Sequence, residues 1–575
     1  MQRNSIMTDN IYTQISNRRK QEQLDGIMPM WYSTAGAQMF YEKYEYETNG
    51  RSVRGQFERI AKTAAKHLKG TTLEKDAETA FFDLLWKGWL SPSTPVLANM
   101  GTNRGMPVSC SGSVVGDSID GFYTAYRETA LLTKYGFGTS GYLGDIRPRG
   151  SAISVGGKAS GVVPVFKRFV QDMRDVAQGT ARRGAWAGYL PIDHGDFDEL
   201  VEHVMADPDD ANVGWVATDK FIALMNSGDK EAIRRYQKAM KAKMVLGKGY
   251  WSFIDKVNNK RPEWYKALGL EVKASNLCNE ITLFADGDHT FTCVLSSLNL
   301  ALRDEWENTD AIFWATAFLD CVASEFIEKA KGILGLEKAV RFTEKGRALG
   351  LGACGFHTYL QKKRIPFESF DAHQLNNQIF HDINEKSKEA SALLARELGE
   401  PEWMKGWGYR NTHRIAIAPT KSTALLMGGV SEGINPDPAM SFTQLTAAGE
   451  VERVNPVLLD LMKEKGVYSK KHVKEIKLAN GSVQGVSWLT SEEKAVFRTA
   501  FEINQEAILR LASARGRYID QWQSLNLFFG ASANEQEISR IHQIAFNDPN
   551  ILGLYYIYSN SEVSGALDSE CVACS

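Results

Sequence analysis

The most informative part of the chain is the stretch Ser275-Asn276-Leu277-Cys278-Asn279-Glu280. An amide, a thiol and a carboxylate, on Asn276, Cys278 and Glu280, are spaced two residues apart in it. In an extended segment this spacing points all three side chains to one face. The carboxylate could move a proton there and the amide could hold a substrate hydroxyl, so the stretch predicts a reactive trio. A buried and inert thiol is the alternative for Cys278 taken alone.

Two further cysteines lie on either side of this stretch. Cys110 lies in Pro107-Val108-Ser109-Cys110-Ser111-Gly112, and Cys293 lies in Phe291-Thr292-Cys293-Val294-Leu295. A pair of thiols can supply the two electrons of a reduction by forming a disulfide. The other internal cysteines, Cys321 and Cys354, lie in helical, apolar surroundings and are predicted to be core residues.

The chain ends in a dithiol pair, Cys571-Val572-Ala573-Cys574-Ser575. The preceding residues, 559–570, carry too little apolar surface to fold by themselves. A tail with two thiols indicates a shuttle that enters a site, exchanges with a disulfide and leaves to be reduced. Half of a zinc site is the alternative, but no second Cys-x-x-Cys or His pair lies near the tail in the sequence.

Composition places the chain among ordinary soluble enzymes. Hydrophobic residues make up 43% and charged residues 24% of its 575 residues. A net charge of −2 gives no reason to expect nucleic acid or a membrane as the main partner. We find no run of 18 apolar residues and no signal core, so a cytoplasmic protein is expected. Seven cysteines without a secretion signal argue against a disulfide scaffold.

Helical and strand-like patterns alternate along the chain, which predicts an α/β fold. Residues 50–90 have helical periodicity, and residues 205–270 resemble a charged, helical surface elaboration. The other predicted helices span 118–135, 163–177, 310–333 and 371–397. Strands are predicted at 280–284, 290–295 and 414–418.

A candidate phosphate site follows the last of these strands. The residues Pro419-Thr420-Lys421-Ser422-Thr423 start a short predicted helix that Gly428 and Gly429 end. Hydroxyl and backbone N–H groups at such a helix start can bind an anion, and Lys421 adds positive charge. A plain Ser/Thr N-cap is the alternative.

Five motifs occur together in one order: Ser109-Cys110, the Asn-x-Cys-x-Glu stretch, Cys293, Leu554-Tyr555-Tyr556 and the terminal cysteine pair. From about Ser91 to the C-terminus the chain resembles the large, catalytic subunit of class I ribonucleotide reductases. The resemblance implies a ten-stranded α/β barrel with a central finger loop, preceded by a small helical region. The expected domains are 1–90 helical, 91–550 barrel, with effector and dimerisation elements around 117–185, and 551–575 relay tyrosines and redox tail.

The resemblance also implies roles for these residues. Cys278 would carry a thiyl radical that removes the ribose 3′ hydrogen, Glu280 would be the base on the 3′ hydroxyl, and Asn276 would orient it. Cys110 and Cys293 would be the reducing thiols that Cys571 and Cys574 regenerate. Tyr555 and Tyr556 would relay the oxidising equivalent, whereas simple packing is the alternative for two adjacent tyrosines.

Nucleotide contacts are expected at two places. The residues that the family pattern puts on the substrate are Thr94, Ser109, Gly138, Arg182, Thr420, Lys421, Ser422 and Thr423. Lys421 stands where relatives often carry Glu, which leaves di- or triphosphate substrates open. The residues expected on a deoxynucleotide or ATP effector are Asp117, Ser118, Ile119, Arg147 and Arg149. An N-cap is the alternative role for Asp117.

The resemblance further implies partners. A small subunit with a metal or tyrosyl oxidant would supply the radical, because a protein scaffold does not easily make one, and no cofactor is expected in this chain. A thioredoxin or glutaredoxin would reduce the tail, and the helices beside the effector loop would form a homodimer. The segment before Ser91 is too short to hold both the helical region and an ATP-cone, so dATP is expected to change base preference without stopping turnover.

Three other readings remain open. An adenosylcobalamin-dependent reductase shares the barrel, the cysteine trio and the tail, but needs no tyrosine relay. A glycyl-radical enzyme fits less well, because no glycine-radical motif lies near the C-terminus. A non-catalytic nucleotide-binding redox scaffold would tolerate Cys278→Ser.

Overall fold

The computed structural model describes residues 11–178, 182–446 and 449–559. The α-helices are α1 Ile11–Leu24, α2 Thr34–Lys43, α3 Val53–Ala65, α4 Glu74–Trp86, α5 Thr94–Asn99, α6 Ile119–Lys134, α7 Val162–Asp175, α8 Phe197–Ala206, α9 Asp219–Asn226, α10 Lys230–Leu246, α11 Ile254–Lys260, α12 Glu263–Ala267, α13 Arg303–Trp306, α14 Ala311–Ala330, α15 Glu337–Gly346, α16 Phe356–Lys362, α17 Phe370–Leu398, α18 Lys421–Leu426, α19 Pro456–Glu464, α20 Lys470–Leu478, α21 Ser491–Val496, α22 Gln505–Gly516 and α23 Glu535–Asn547.

The strands are β1 Leu90–Pro92, β2 Cys110–Val114, β3 Gly138–Tyr142, β4 Ala177–Gln178, β5 Arg182–Arg183, β6 Trp186–Pro191, β7 Val213–Ala217, β8 Tyr250–Phe253, β9 Phe291–Asn299, β10 Leu349–Cys354, β11 Ser441–Thr446, β12 Gly449–Val454, β13 Leu527–Phe529, β14 Gly553–Leu554 and β15 Ile557–Ser559. None of the helices in the described ranges is long and apolar enough to cross a membrane.

Helices α1 to α4 form the N-terminal region. The apolar residues of α3 recur every three or four positions and are buried, which gives this helix a single inward face. Helices α3 and α4 pack on each other and on α14. The ring of Phe81 on α4 meets Trp314 and Phe318 of α14 edge to face, at 5.8 and 5.4 Å between centroids. The predicted helical region is confirmed, and its packing against α14 joins it to the rest of the molecule.

One half of the main sheet is a set of five parallel strands in the order β2, β3, β6, β7, β8. Parallel neighbours need a crossover connection, which helices α6 to α10 supply. Strand β14 adds to β8 in antiparallel orientation and so returns the C-terminal segment to this edge.

The second half starts at β9, which runs antiparallel to β2 and to β1. Strand β10 pairs with β9 in parallel over six residues. Single parallel bridges, Leu351–Ile415 and Ile417–Gln523, continue the sheet beyond β10. The two halves therefore meet along one antiparallel seam between β2 and β9.

Residues 271–290 have no strand pairing, yet they are largely buried and lie between the two halves. Side chains and backbone from both halves hold this segment, which we call the central loop. Its hydrogen bonds are Ser140 Oγ to Ser275 O at 2.9 Å, Tyr189 OH to Asn276 O at 2.6 Å, Asn279 Nδ2 to Trp251 O at 3.0 Å, Ser524 Oγ to Cys278 O at 2.7 Å and Trp522 N to Glu280 O at 2.9 Å. The loop is thus fixed from several directions at once.

Three expectations about local structure are wrong. Residues 280–284 are not a strand, because they belong to the central loop, where alternating apolar residues are buried without a ladder. Residues 414–418 make only isolated bridges at Ile415 and Ile417. Residues 205–270 are not a surface elaboration, since they contain β7 and β8, whose residues are all buried. The helices predicted at 118–135, 163–177, 310–333 and 371–397 and the strand at 290–295 are confirmed.

A buried ion network on α14 provides a test of stability. Asp320 is fully buried and accepts from Arg347 Nε and Arg410 Nε, each at 2.8 Å. Burial alone would raise the pKa of Asp320, but the two guanidinium groups hold that pKa well below its usual value. The stabilisation is therefore present at neutral pH and is lost in strong acid, as the carboxylate becomes protonated in the folded state.

We expect Asp320→Ala to destabilise the fold by about 3–5 kcal/mol, because it leaves two buried guanidinium groups without a counter-charge. The measurement is the midpoint of urea unfolding at pH 7. The control is Asp83→Ala, which removes an exposed pair with Lys87 and should cost less than about 1 kcal/mol. Equal midpoints for the two variants would contradict the expectation.

Candidate active site

A cavity lies between the central loop, the start of β2 and the start of α18. Seven of the predicted site residues line it, together with serines, prolines and apolar residues of β1, β9 and the segment before α18. The seven are Thr94, Ser109, Cys110, Cys278, Glu280, Thr420 and Thr423. The fold therefore brings together residues that are more than 300 positions apart in the sequence.

Cys110 and Cys293 face each other across the seam between the two halves of the sheet. They are directly paired in the antiparallel register of β2 and β9. Residues in this relation have Cβ atoms about 4.5–5.5 Å apart, close to the separation that a disulfide requires. Both cysteines are free thiols here. A reversible disulfide could form with little movement of the strands.

Cys293 is fully buried and lies behind the cavity rather than on its wall. Burial, and secondarily the neighbouring Cys110, raises the pKa of its thiol well above the usual value. Gln521 Nε2 donates to its sulfur at 3.9 Å. A Cβ at Gly350 would lie 2.9 Å from the same sulfur, so this position leaves room only for glycine. Cys293 is thus held as a protonated thiol in a fitted pocket.

Asn276 shapes the central loop around Cys278. Its Oδ1 accepts from the backbone N–H groups of Glu280 and Ile281 at 3.0 and 3.1 Å. Its Nδ2 donates to Cys110 Sγ at 3.2 Å. The expectation of an extended segment is wrong, because the chain turns at Cys278 and Asn279 has a φ of 64°, which Asn tolerates well. The turn, rather than a strand, gathers the three side chains.

Glu280 is fully buried at the cavity. Ser524 Oγ lies 3.1 Å from Glu280 Oε2 and 2.7 Å from the carbonyl oxygen of Cys278. A serine carries one hydroxyl hydrogen, so Ser524 donates to one of these oxygens at a time. Sequence reasoning missed Ser524 and Gln521, because neither lies near a motif and only the fold brings them here.

The candidate phosphate segment starts α18 at the wall of the cavity. Thr420 has a φ of 53°, and its Oγ1 accepts from Gly433 N at 2.8 Å instead of capping the helix. The alternative of a plain N-cap is therefore wrong. Gly428 and Gly429 end the helix with φ values of 90° and 78°, as predicted. Lys421 and Ser422 follow Thr420 but do not line the cavity.

The two other substrate residues near the cavity are held by hydroxyl contacts. Ser109 Oγ donates to Ser93 Oγ at 2.8 Å, and Tyr44 OH donates to Thr94 Oγ1 at 3.3 Å. Gly138 is paired with Cys110 in the register of β2 and β3 and is not on the cavity wall. The backbone of Arg182 lies in β5, which pairs with β4.

Four of the five predicted effector residues lie together at the start of α6. Arg147 Nε bonds to Asp117 Oδ2 at 2.6 Å, and Ile119 is 72% exposed beside them. Ser118, not Asp117, is the N-cap of α6, with Gly121 N donating to Ser118 Oγ at 2.9 Å. This leaves the carboxylate of Asp117 for Arg147. Arg149 is instead paired with Glu199.

Tyr555 and Tyr556 follow β14, and their rings lie 4.0 Å apart between centroids with a tilt of 42°. Tyr555 is buried and Tyr556 is half-buried. Tyr555 N donates to Leu525 O at 2.8 Å, and Tyr556 N donates to Asn526 Oδ1 at 3.2 Å. Residues 524–526 thus contact both the central loop and the tyrosine pair. Cys571 and Cys574 lie outside the described residues. Cys321 and Cys354 are buried, as predicted, but Cys354 ends strand β10 and so does not lie in the helical surroundings that were expected for it.

Two family models cover nearly all of these elements. The ribonucleotide reductase all-alpha domain matches residues 30–105, and the ribonucleotide reductase barrel domain matches residues 108–235, 230–407 and 401–557. The chain belongs to the ribonucleotide reductase family. The predicted family and α/β barrel fold are confirmed, and so is the prediction of a catalytic reductase subunit.

Individual ribonucleotide reductases support this assignment. A Frog virus 3 protein named for the large subunit of ribonucleoside-diphosphate reductase is 33% identical over 497 residues, which cover 83% of this chain and 86% of the relative. A vitamin B12-dependent ribonucleoside-diphosphate reductase of Thermoplasma acidophilum is 29% identical over 79% of this chain and 62% of its own length. The solved class Id ribonucleotide reductase alpha subunit of Actinobacillus ureae superimposes with a TM-score of 0.85 at 36% identity, over 94% of this chain and 99% of that one.

Proposed function

We propose that this chain is the catalytic subunit of a class I ribonucleotide reductase that converts ribonucleoside diphosphates to 2′-deoxyribonucleotides. The observation that carries the proposal is the placement of Cys110 opposite Cys293, beside a cavity that holds Cys278 and Glu280. This arrangement combines the Cys278 thiol, one carboxylate and one potential disulfide pair at a single cavity.

In the proposed reaction the Cys278 thiyl takes the 3′ hydrogen atom and becomes a thiol. Glu280 accepts the 3′ hydroxyl proton, and the 2′ hydroxyl leaves as water with a proton from the thiol pair. Cys110 and Cys293 lose two electrons and two protons in total and form a disulfide. One of these protons leaves in the water, and the other ends, with the two electrons, as the new hydrogen on C2′. Glu280 returns its proton to the 3′ oxygen, and Cys278 returns the hydrogen atom to C3′ and is a thiyl again.

The enclosure of the central loop supports this chemistry. Cys278 is 5% exposed and Glu280 fully buried, so few water molecules reach the reacting atoms. Asn276 donates to Cys110 and fixes the turn, so in this proposal it orients the thiol and the carboxylate toward the same ribose. Thr420, Thr423 and Lys421 would bind the phosphates, and Thr94, Ser109, Gly138 and Arg182 would contact the rest of the nucleotide.

The supply of the radical and the reduction of the disulfide after each turnover need partner proteins. The similarity to a class I alpha subunit supports a separate small subunit as the source of the oxidising equivalent, with Tyr555 and Tyr556 as its entry path. Cys571 and Cys574 would reduce the Cys110–Cys293 disulfide and be reduced by a thioredoxin or glutaredoxin, as in a reducing cytoplasm. Asp117, Ser118, Ile119, Arg147 and Arg149 would form the effector site of a homodimer.

The direct test is turnover of each ribonucleoside di- and triphosphate, with and without the purified small subunit, in the presence of a thioredoxin-class reductant. We expect deoxynucleotide formation from diphosphates only when the small subunit is present. Adenosylcobalamin is added in a parallel reaction without the small subunit, because a cobalamin-dependent relative also aligns with the chain. Turnover in that reaction would contradict the class I proposal.

A further inference from the structure

A third tyrosine, Tyr250, packs against both members of the tyrosine pair. Its ring centroid lies 4.8 Å from that of Tyr555, with a tilt of 42°, and 5.7 Å from that of Tyr556, in an edge-to-face arrangement. Aromatic rings at these separations and angles attract each other beyond simple burial. Tyr250 is fully buried, whereas Tyr556 is half-buried. The three rings form one cluster, in which Tyr556 is partly exposed and the other two rings are buried.

The pairing of β14 with β8 produces this cluster. Gly553 is opposite Ser252 and Leu554 is opposite Trp251, so the next step of the antiparallel ladder places Tyr555 beside Tyr250. A Cβ at Gly553 would lie 2.7 Å from the carbonyl oxygen of Trp251, so the close approach requires glycine there. The register, and not chance packing, brings Tyr250 to the pair.

A buried lysine, Lys243, links the chain segment before Tyr250 to the segment that carries Tyr555. Lys243 Nζ donates to Gly249 O at 2.9 Å and to Tyr555 O at 2.5 Å. Its side chain is fully buried, so these carbonyl contacts replace its lost hydration. One amino group thus connects the residue before Tyr250 with the backbone of Tyr555, which limits how far the two rings can separate.

The hydroxyl group of Tyr250 also contacts another part of the fold. Tyr250 OH donates to Asn212 Oδ1 at 3.3 Å, which is on the connection between α8 and β7. Tyr250 therefore contacts Tyr555 and Tyr556 with its ring and the connection between α8 and β7 with its hydroxyl. The variant Tyr250→Phe, which keeps the ring and removes the hydroxyl, separates the role of the ring from the role of the phenol.

We propose that Tyr250 is a positioning residue for radical transfer, and that its ring holds Tyr555 and Tyr556 in the mutual orientation that transfer requires. The inference rests on the proposed role of the tyrosine pair. The transfer moves one hydrogen atom equivalent, a proton and an electron, along the pair toward the oxidant of the small subunit. Tyr250 neither gains nor loses either particle.

The test compares two variants that lose the ring, Tyr250→Leu and Tyr250→Met, with Tyr250→Phe, which keeps it. Displacing reacting groups by 1 Å can cost about 100-fold in rate, so we expect the ring-less variants to lower kcat by about 10- to 100-fold. KM for the nucleotide and the Kd of the effector should not change, because both sites lie elsewhere. Tyr250→Phe should restore most of kcat.

The matched control is Tyr236→Leu. Tyr236 is a buried aromatic residue of α10 that packs on Trp251 and Phe546 and not on the tyrosine pair. The Tyr236→Leu variant should lower the midpoint of thermal unfolding about as much as Tyr250→Leu does, while its kcat should stay within about twofold of the unsubstituted enzyme. Near-normal kcat in both folded ring-less variants would overturn the proposal, and so would a Tyr250→Phe enzyme as slow as they are. The relay itself is tested separately by Tyr556→Phe, so the two failures are distinguishable.

Discussion

The Cys278→Ser variant is expected to form no deoxynucleotide at all, with substrate and effector binding unchanged. Serine has nearly the same shape and can make the same hydrogen bonds, but its O–H bond is too strong for the hydroxyl to act as a hydrogen-atom carrier in place of a thiol. The loop should keep its form, because Asn276 Oδ1 and Ser524 hold the backbone and not the sulfur. The measurement is multiple-turnover product formation with the small subunit, beside equilibrium binding of a ribonucleoside diphosphate.

Cys354→Ser is the matched control for this variant. Cys354 is also a fully buried thiol, at the end of β10, and it does not line the cavity. We expect it to lose some stability through burial of a hydroxyl and to retain turnover. A Cys278→Ser protein with normal turnover would show that the chain works without a thiyl at this position and would refute the proposed mechanism.

The second large effect is expected for Tyr556→Phe. The substitution keeps a ring 4.0 Å from Tyr555 and removes the phenolic hydrogen that a relay must pass on. We therefore expect turnover driven by the small subunit to fall by at least about 1,000-fold, or roughly 4 kcal/mol in the barrier, while the fold and nucleotide binding persist. The measurement is kcat at saturating small subunit, so that any weaker association of the subunits is compensated.

Tyr558→Phe provides the matched control. Tyr558 is half-buried like Tyr556, its ring lies 5.8 Å from that of Tyr556, and it stacks on Phe528 at 5.2 Å. The Tyr558→Phe variant should turn over at close to the normal rate. Equal, normal rates for Tyr556→Phe and Tyr558→Phe would refute the relay and favour an enzyme that makes its radical in place.

The alternation of helices and strands was enough to predict an α/β fold, and the resemblance that the motifs carry implied the barrel and the residues that line the cavity. The helix predictions also succeeded for long segments in which apolar residues recur with the period of a helix, as in α14 and α17. The pairing of Cys110 with Cys293 could not be predicted from the residues alone, because a register between distant strands depends on the whole sheet. The same holds for Gln521 and Ser524, which reach the site only through the bridges beyond β10.

The failed local predictions have physical causes as well. Residues 280–284 alternate as a strand does, but inside the barrel they are buried without a neighbouring strand to pair with. In residues 205–270 the charged face of α10 dominates the composition and hides the short apolar strands β7 and β8. Tyr250 was missed for this reason, although the aromatic-rich run Tyr250-Trp251-Ser252-Phe253 was visible in the sequence.

The position of the thiol pair has a mechanical consequence. Cys110 belongs to the first half of the barrel and Cys293 to the second, and they oppose each other where the halves meet. Oxidation at the end of a catalytic cycle would therefore place a covalent staple across that junction, and reduction would remove it. Until the two thiols are restored, the junction beside the cavity would therefore be held by a covalent link in addition to the pairing of β2 with β9.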